Sequence, residues 1–142
     1  MNDVDLVARA IGVLAERGVP AWVFGGWAEE LLGLASPRPH GDVDLLVAGD
    51  DWAPVDGLLR HLPELEAKRF PHKRAFVLDG VMVELFLVRR DSRGLFTEFW
   101  GERRPWPDDT LDDESELPVA SASAVTGYRA NHPVRPPASG AK

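Results

Sequence analysis

Asp42 and Asp44 stand two residues apart in Gly41-Asp42-Val43-Asp44-Leu45-Leu46-Val47, a stretch with an apolar second half that reads as a strand. Strand geometry alternates side chains between faces, so both carboxylates point the same way. Two acids forced together repel, and a cation between them relieves the repulsion. Magnesium suits such a place, because it prefers oxygen ligands and commonly takes one or two carboxylates along with substrate phosphates. A third acid, Glu84, is the only charged residue in Val81-Met82-Val83-Glu84-Leu85-Phe86-Leu87, and a lone carboxylate in so apolar a strand needs a partner. If its strand lies beside that of Asp42, three acids converge, the arrangement of metal-assisted phosphoryl or nucleotidyl transfer. The alternative is that Asp42 and Asp44 sit at an exposed strand end while Glu84 pairs with Arg74 or Lys73.

Gly25-Gly26 follows an apolar run and precedes a helical one. Glycine there lets backbone approach a ligand closely, and a helix start offers free N–H groups to an anion, which makes a phosphate seat. A glycine pair also serves as nothing more than a tight turn. It is not a nucleotide P-loop or a dinucleotide fingerprint, since neither GxxxxGK[ST] nor a third spaced glycine is present. With the acid pair 16 residues further on, it describes a pocket for a nucleoside triphosphate and its magnesium.

The elements that must position these groups follow from periodicity. Val4, Val7, Ile11 and Leu14 recur at helical spacing, Asn2 or Asp3 can cap the start and Gly18 the end, predicting a helix over 3–17. A strand is expected over 19–24, a helix over 27–34, a proline-broken loop over 36–39 and a strand over 41–47. A helix over 52–62 tolerates Pro54 in its first turn. Strands over 73–78 and 81–88 flank Asp79-Gly80, a two-residue hairpin signal, and are antiparallel neighbours. Order weakens beyond Arg89, 108–116 reads as an acidic loop, and 131–142 reads as a disordered Pro-rich tail after a domain over 1–130.

Composition narrows the chemistry. At 142 residues the chain has room for one domain of moderate core. Zero Cys excludes disulfides, thiolate catalysis and cysteine zinc sites. A net charge of −7 disfavours bulk nucleic acid as partner. The N-terminus lacks a signal-peptide pattern and no apolar run reaches the roughly 20 residues of a membrane span, so a cytoplasmic protein off the membrane is expected. His61, His72 and His132 lack metal-ligand spacing, and Ser121 and Ser123 lack a GxSxG setting.

Gly25-Gly26-Trp27-Ala28-Glu29-Glu30-Leu31-Leu32-Gly33 followed by Arg38-Pro39-His40-Gly41-Asp42-Val43-Asp44-Leu45 resembles the signature of the aminoglycoside and lincosamide nucleotidyltransferases, within the polymerase-beta-like nucleotidyltransferase superfamily. The resemblance runs from about Val4 to Val88, and Leu117-Pro118-Val119 with Thr126-Gly127-Tyr128 is similar to a later segment. It implies an α/β (α+β) nucleotidyltransferase fold, a mixed sheet flanked by helices. It also implies transfer of a nucleoside monophosphate, with AMP from ATP the leading expectation, to a hydroxyl of a small antibiotic-like molecule. By position, Gly25 and Gly26 would cradle the triphosphate, Asp42 and Asp44 would hold magnesium, and Glu84 would be the third acid, as ligand or general base. Arg38 and His40, in the loop before the acid pair, would approach the phosphates. Glu30 matches an acidic position of the family and is expected to hydrogen-bond structurally, with Trp27 in the core. Lys73 is either a stabiliser of pyrophosphate charge or an exposed strand-end lysine.

The implied reaction is in-line attack of the hydroxyl on the α-phosphorus, aided by two magnesium ions about 3.5–4 Å apart. Glu98, Glu102, Asp108, Asp109, Asp112, Asp113, Glu114 and Glu116 would draw a polycationic acceptor, or form only a solvated loop. The family usually carries further C-terminal structure around the acceptor, so either a homodimer completes the cleft or the fold is kept and the transfer activity lost. The rival readings are a catalytically silent nucleotide- or partner-binding module, such as half of a toxin–antitoxin pair, and a nucleotidyltransferase acting on a protein hydroxyl.

Overall fold

The computed structural model describes residues 1–135, so 136–142 of the expected tail lies outside the described residues. Helix α1 (Val4–Ala15) is capped by Asp3, whose carboxylate accepts from the Leu6 N–H at 3.0 Å. Asn2, the other candidate cap, has a different task described below. Strand β1 (Ala21–Phe24) runs directly into α2 (Gly25–Leu31), so the two glycines open the helix rather than precede it. Strand β2 (Asp42–Ala48) and helix α3 (Ala53–Leu59) follow, the latter with Pro54 in its first turn.

Strands β3 (Lys73–Leu78) and β4 (Val81–Asp91) form the expected antiparallel hairpin. Its turn residues Asp79 and Gly80 both have positive φ, 50° and 77°, the mirror-image turn whose twist matches the strands. Order does not weaken beyond Arg89. Strands β5 (Gly94–Phe99) and β6 (Glu102–Pro105) extend the sheet, and α4 (Ala122–Ala130) packs on α2. Strand β5 escapes a sequence reading because Thr97 interrupts its apolar run, yet Thr97 is 1% exposed. Its hydroxyl donates to the Leu87 carbonyl at 2.6 Å and accepts from the Trp106 indole at 2.8 Å. Helix α4 is short, carries Gly127 and has few apolar residues; Ser121 caps it.

The result is a six-stranded mixed sheet in the order β1-β2-β4-β5-β6, with β3 also on β4. Among the named strands of the described residues, only the β2–β4 pair is parallel. Val43, Leu45 and Val47 take the face of β2 opposite the acids and join Leu6, Val7 and Leu14 of α1 in one enclosed core. Each buried Val or Leu contributes roughly 1.5–3 kcal/mol. Residues 117–120 lie along β1: the Val23 N–H donates to the Pro118 carbonyl at 2.8 Å, and the Ala120 N–H to the Val23 carbonyl at 2.9 Å. Among the described residues, no helix is long and apolar enough to cross a membrane.

Candidate active site

Register brings the acids together. Asp44 is the Cα partner of Glu84 across the parallel β2–β4 pair, and Asp42 lies two residues earlier on the same face. One carboxylate oxygen from each of the three lies within 4.8 Å of the others. Glu84 is buried and the two aspartates half-buried. Burial, followed by the charges of Asp42 and Glu84, raises the Asp44 carboxyl to about 8. Burial and then Glu84 raise Asp42 as well.

Both outcomes weighed for Glu84 occur together. It faces Asp42 and Asp44, and the Lys73 ammonium stands directly against its Oε2, with Lys68 Nζ at 3.9 Å. The Lys73 contact is an ion pair without hydrogen-bond alignment, which leaves the buried Oε2 without a directed donor. Arg74 is not the partner, because Asp56 takes its guanidinium at 2.8 Å and Trp52 covers it at 4.7 Å.

Asp44 and Glu84 open into a cavity of about 310 Å³. Gly25, Asp44, Lys73 and Glu84 line it together with an aromatic wall of Phe24, Phe86, Phe99, Trp100 and Tyr128. Gly25 has φ 63°, and a Cβ there would overlap the Asp44 carboxylate, so glycine lets β1 turn into α2 against that acid. The second glycine serves a different neighbourhood. A Cβ on Gly26 would meet Arg38 Nη2 at 2.8 Å and His40 Nδ1 at 3.1 Å.

Arg38 and His40 are therefore brought to Gly26 and Glu30, and neither lines the carboxylate cavity. Glu30 accepts from the Arg38 N–H at 3.1 Å and bonds His40 Nε2 at 2.9 Å, the structural role expected of it. His40, with its side chain 4% exposed, packs on Trp27 at 4.2 Å. Trp27 is core, and its indole donates to Asn2 Oδ1 at 2.9 Å. Asn2 in turn donates to the His40 and Asp42 carbonyls at 2.8 and 3.0 Å, fixing the chain where it enters β2.

Helix α4 supplies Tyr128, whose ring meets Phe24 at 4.9 Å. Burial, then Asp44 and Glu84, push its hydroxyl up to about 12, so it stays protonated. The late acids do not line the cavity. Asp109 is taken by Ser123, and Asp113 by the Ser115 and Val119 N–H groups.

No family model matches the sequence, and no curated protein does. Solved structures do match. The lincomycin-bound lincosamide antibiotic adenylyltransferase LnuA superposes with a TM-score of 0.70 at 13% identity, over 93% of this chain and 89% of that one. ANT(2")-Ia, in complex with adenylyl-2"-tobramycin, gives 0.62 at 19% identity, over 94% and 80%. A Thermotoga maritima protein assigned as a candidate nucleotidyltransferase gives 0.54 at 17% identity, over 92% and 86%. The chain has the nucleotidyltransferase fold.

Within that nucleotidyltransferase fold, Glu29 braces the helices beside the site, Trp100 packs as its aromatic character suggests, and His72, expected as a surface or loop histidine, is buried. Glu29 accepts from Arg129 Nη2 at 2.5 Å and Nε at 2.8 Å, a bidentate pair on one guanidinium edge that ties α2 to α4 over a separation of 100 residues. The Arg129 hydrogen bonds hold its carboxyl below the ordinary range. Trp100 has φ 54°, which costs a bulky residue on the order of 1–3 kcal/mol. Its signal was the following Gly101, since a residue-Gly pair between two alternating runs marks a tight hairpin. His72 is 5% exposed, and its Nδ1 has no hydrogen-bond partner among the described residues. Burial, then the Lys73 charge, lower it to about 4, so the imidazole is neutral.

Proposed function

We propose that this chain is an enzyme that transfers a nucleoside monophosphate, AMP in the first instance, from a nucleoside triphosphate to a hydroxyl of a small aminoglycoside- or lincosamide-like molecule. The observation that carries the reading is the meeting of Asp42, Asp44 and Glu84 around one point, where Asp44 and Glu84 line a cavity that also holds Lys73. Three oxygen donors and no sulfur or imidazole fit magnesium. Asp42, Asp44 and Glu84 would hold it. When bound, magnesium neutralises phosphate charge and makes a ligated hydroxyl more acidic.

The rest is done by this chain. Asp44, whose carboxyl is raised by burial, by the Asp42 and Glu84 charges and by a hydrogen bond with Glu84, would have to be deprotonated to serve as a magnesium ligand. Lys73, released from Glu84, turns its ammonium to the triphosphate. Gly25 lets the start of α2 lie against the Asp44 carboxylate at the cavity wall. The acceptor oxygen forms a bond to the α-phosphorus as the bond to the β-phosphate bridge breaks and pyrophosphate leaves. The hydroxyl proton passes to a site carboxylate, and Glu84, the most enclosed, is assigned that role. Positioning and charge account for most of the acceleration in such transfers.

The silent-module reading has one observation in its favour, because Lys73 and Lys68 already offset the charge of Glu84. The deciding experiment is magnesium-dependent release of pyrophosphate from ATP and GTP across aminoglycosides and lincosamides, with Asp42→Asn and Glu84→Gln as controls. Release that needs acceptor and both acids supports transfer. No turnover with any acceptor, alongside tight association with another protein, supports the silent module. Transfer to a protein hydroxyl would register as a nucleotide-sized mass adduct.

A further inference from the structure

The carboxylate cavity has an uncharged half that the proposed chemistry does not use. His72, Phe99 and Trp100 line it beside Asp44, Lys73 and Glu84. The imidazole centre lies 4.7 Å from that of Trp100 and 5.1 Å from that of Phe99, and Phe70 stacks behind it at 5.7 Å. Two features of this wall are costly, a left-handed Trp100 set by the two-residue hairpin turn it shares with Gly101 and an imidazole nitrogen that packing leaves unpaired. Trp100 is kept in a left-handed backbone conformation that a bulky residue rarely adopts, at φ 54°. His72 is enclosed with an unpaired ring nitrogen, which native interiors rarely leave. The same rings already take a flat π group, since the Arg135 guanidinium packs 5.4 Å from Trp100 and 5.6 Å from Phe70.

Stacking surface plus an unpaired polar nitrogen suits a planar nitrogen heterocycle. Of the two substrates in the proposed reaction, only the nucleoside triphosphate necessarily carries one. We infer that Trp100, with Phe99 and His72, is the recognition surface for the heterocyclic base of that triphosphate, Trp100 stacking on the base and His72 meeting its polar edge. The inference rests on the nucleotidyl-transfer reading for the presence of a nucleotide. The neutral state of His72 supports it, because an uncharged imidazole can donate or accept toward a base.

Calorimetric titration of the whole chain in magnesium, with a non-hydrolysable ATP analogue and with inorganic tripolyphosphate, tests it. Asparagine tolerates the left-handed backbone, so Trp100→Asn removes the ring without adding strain, and Trp100→Phe restores a ring. The wild type is expected to bind the analogue at least about tenfold more tightly than tripolyphosphate, from base stacking. Trp100→Asn is expected to lose that preference with tripolyphosphate affinity unchanged, and Trp100→Phe to keep most of it. Equal weakening of both ligands in Trp100→Asn, or a wild type that does not distinguish them, would overturn the inference and leave the transfer reading standing. Failure of the wild type to bind either ligand would overturn both.

Discussion

Asp44 is flanked in register by Glu84 on β4 and by Phe24 on β1, so one carboxylate stands between another carboxylate and an aromatic ring. That position explains its chemistry. It is buried from one side and repelled from the other, and a proton or a bound cation relieves both.

The first prediction concerns that row directly. Glu84→Gln keeps the shape of the side chain and removes its charge, so transfer is expected to fall by about 10²–10⁴-fold, the usual worth of a general base. The metal-free fold is expected to persist, because the substitution relieves repulsion with Asp44 even as it removes the Lys73 partner. Pyrophosphate release and a melting curve measured on the same preparation check both halves.

Proton linkage supplies the second. Burial, Asp42 and Glu84 raise Asp44 to about 8 from an ordinary 3.8. Between those values the folded chain keeps a proton that the unfolded chain has lost, so this group makes metal-free stability fall as pH rises from about 4 to about 8. Magnesium at the carboxylates displaces that proton, and its stabilising effect is expected to grow across the same interval. Melting temperatures with chelator and with magnesium from pH 5 to pH 9 give the answer; curves that stay parallel would count against the site.

A pair of glycines separates backbone strain from contact. Gly25 and Gly33 both have positive φ, 63° and 73°, but an added Cβ meets the Asp44 carboxylate at Gly25 and nothing within 4 Å at Gly33. Gly33→Ala is expected to cost about 1–2 kcal/mol, from the left-handed backbone. Gly25→Ala is expected to cost a further 1–3 kcal/mol or so, from overpacking, and to abolish the magnesium effect. Denaturant titration of the two variants measures the difference.

Glu30 should act on shape. Glu30→Ala removes the acceptor of the Arg38 N–H and the partner of the enclosed His40. Amide hydrogen exchange at Arg38 is expected to quicken and transfer to decline through a higher KM for the nucleoside triphosphate. An unchanged exchange rate would show that Asn2, which donates to the His40 and Asp42 carbonyls, holds the loop by itself.

What the sequence by itself determined was local. Period-2 spacing put Asp42 and Asp44 on one face, Asp79-Gly80 turned the hairpin, and the apolar surroundings of Glu84 demanded a partner for it. These follow from geometry within a few residues, which a linear reading contains. The parallel register that sets Asp44 beside Glu84 was only conditional in the sequence, since parallel strands are joined by long crossovers that encode no alignment. Likewise, the choice of Lys73 over Arg74 as partner of Glu84 depended on Asp56 and Trp52 claiming the arginine from another element. Tertiary structure alone divided the two glycines between Asp44 and the Arg38–His40 pair, and placed Trp100 and His72 on the cavity wall. Those facts are contacts between residues far apart in the chain, and they exist only once the sheet has closed its register around them.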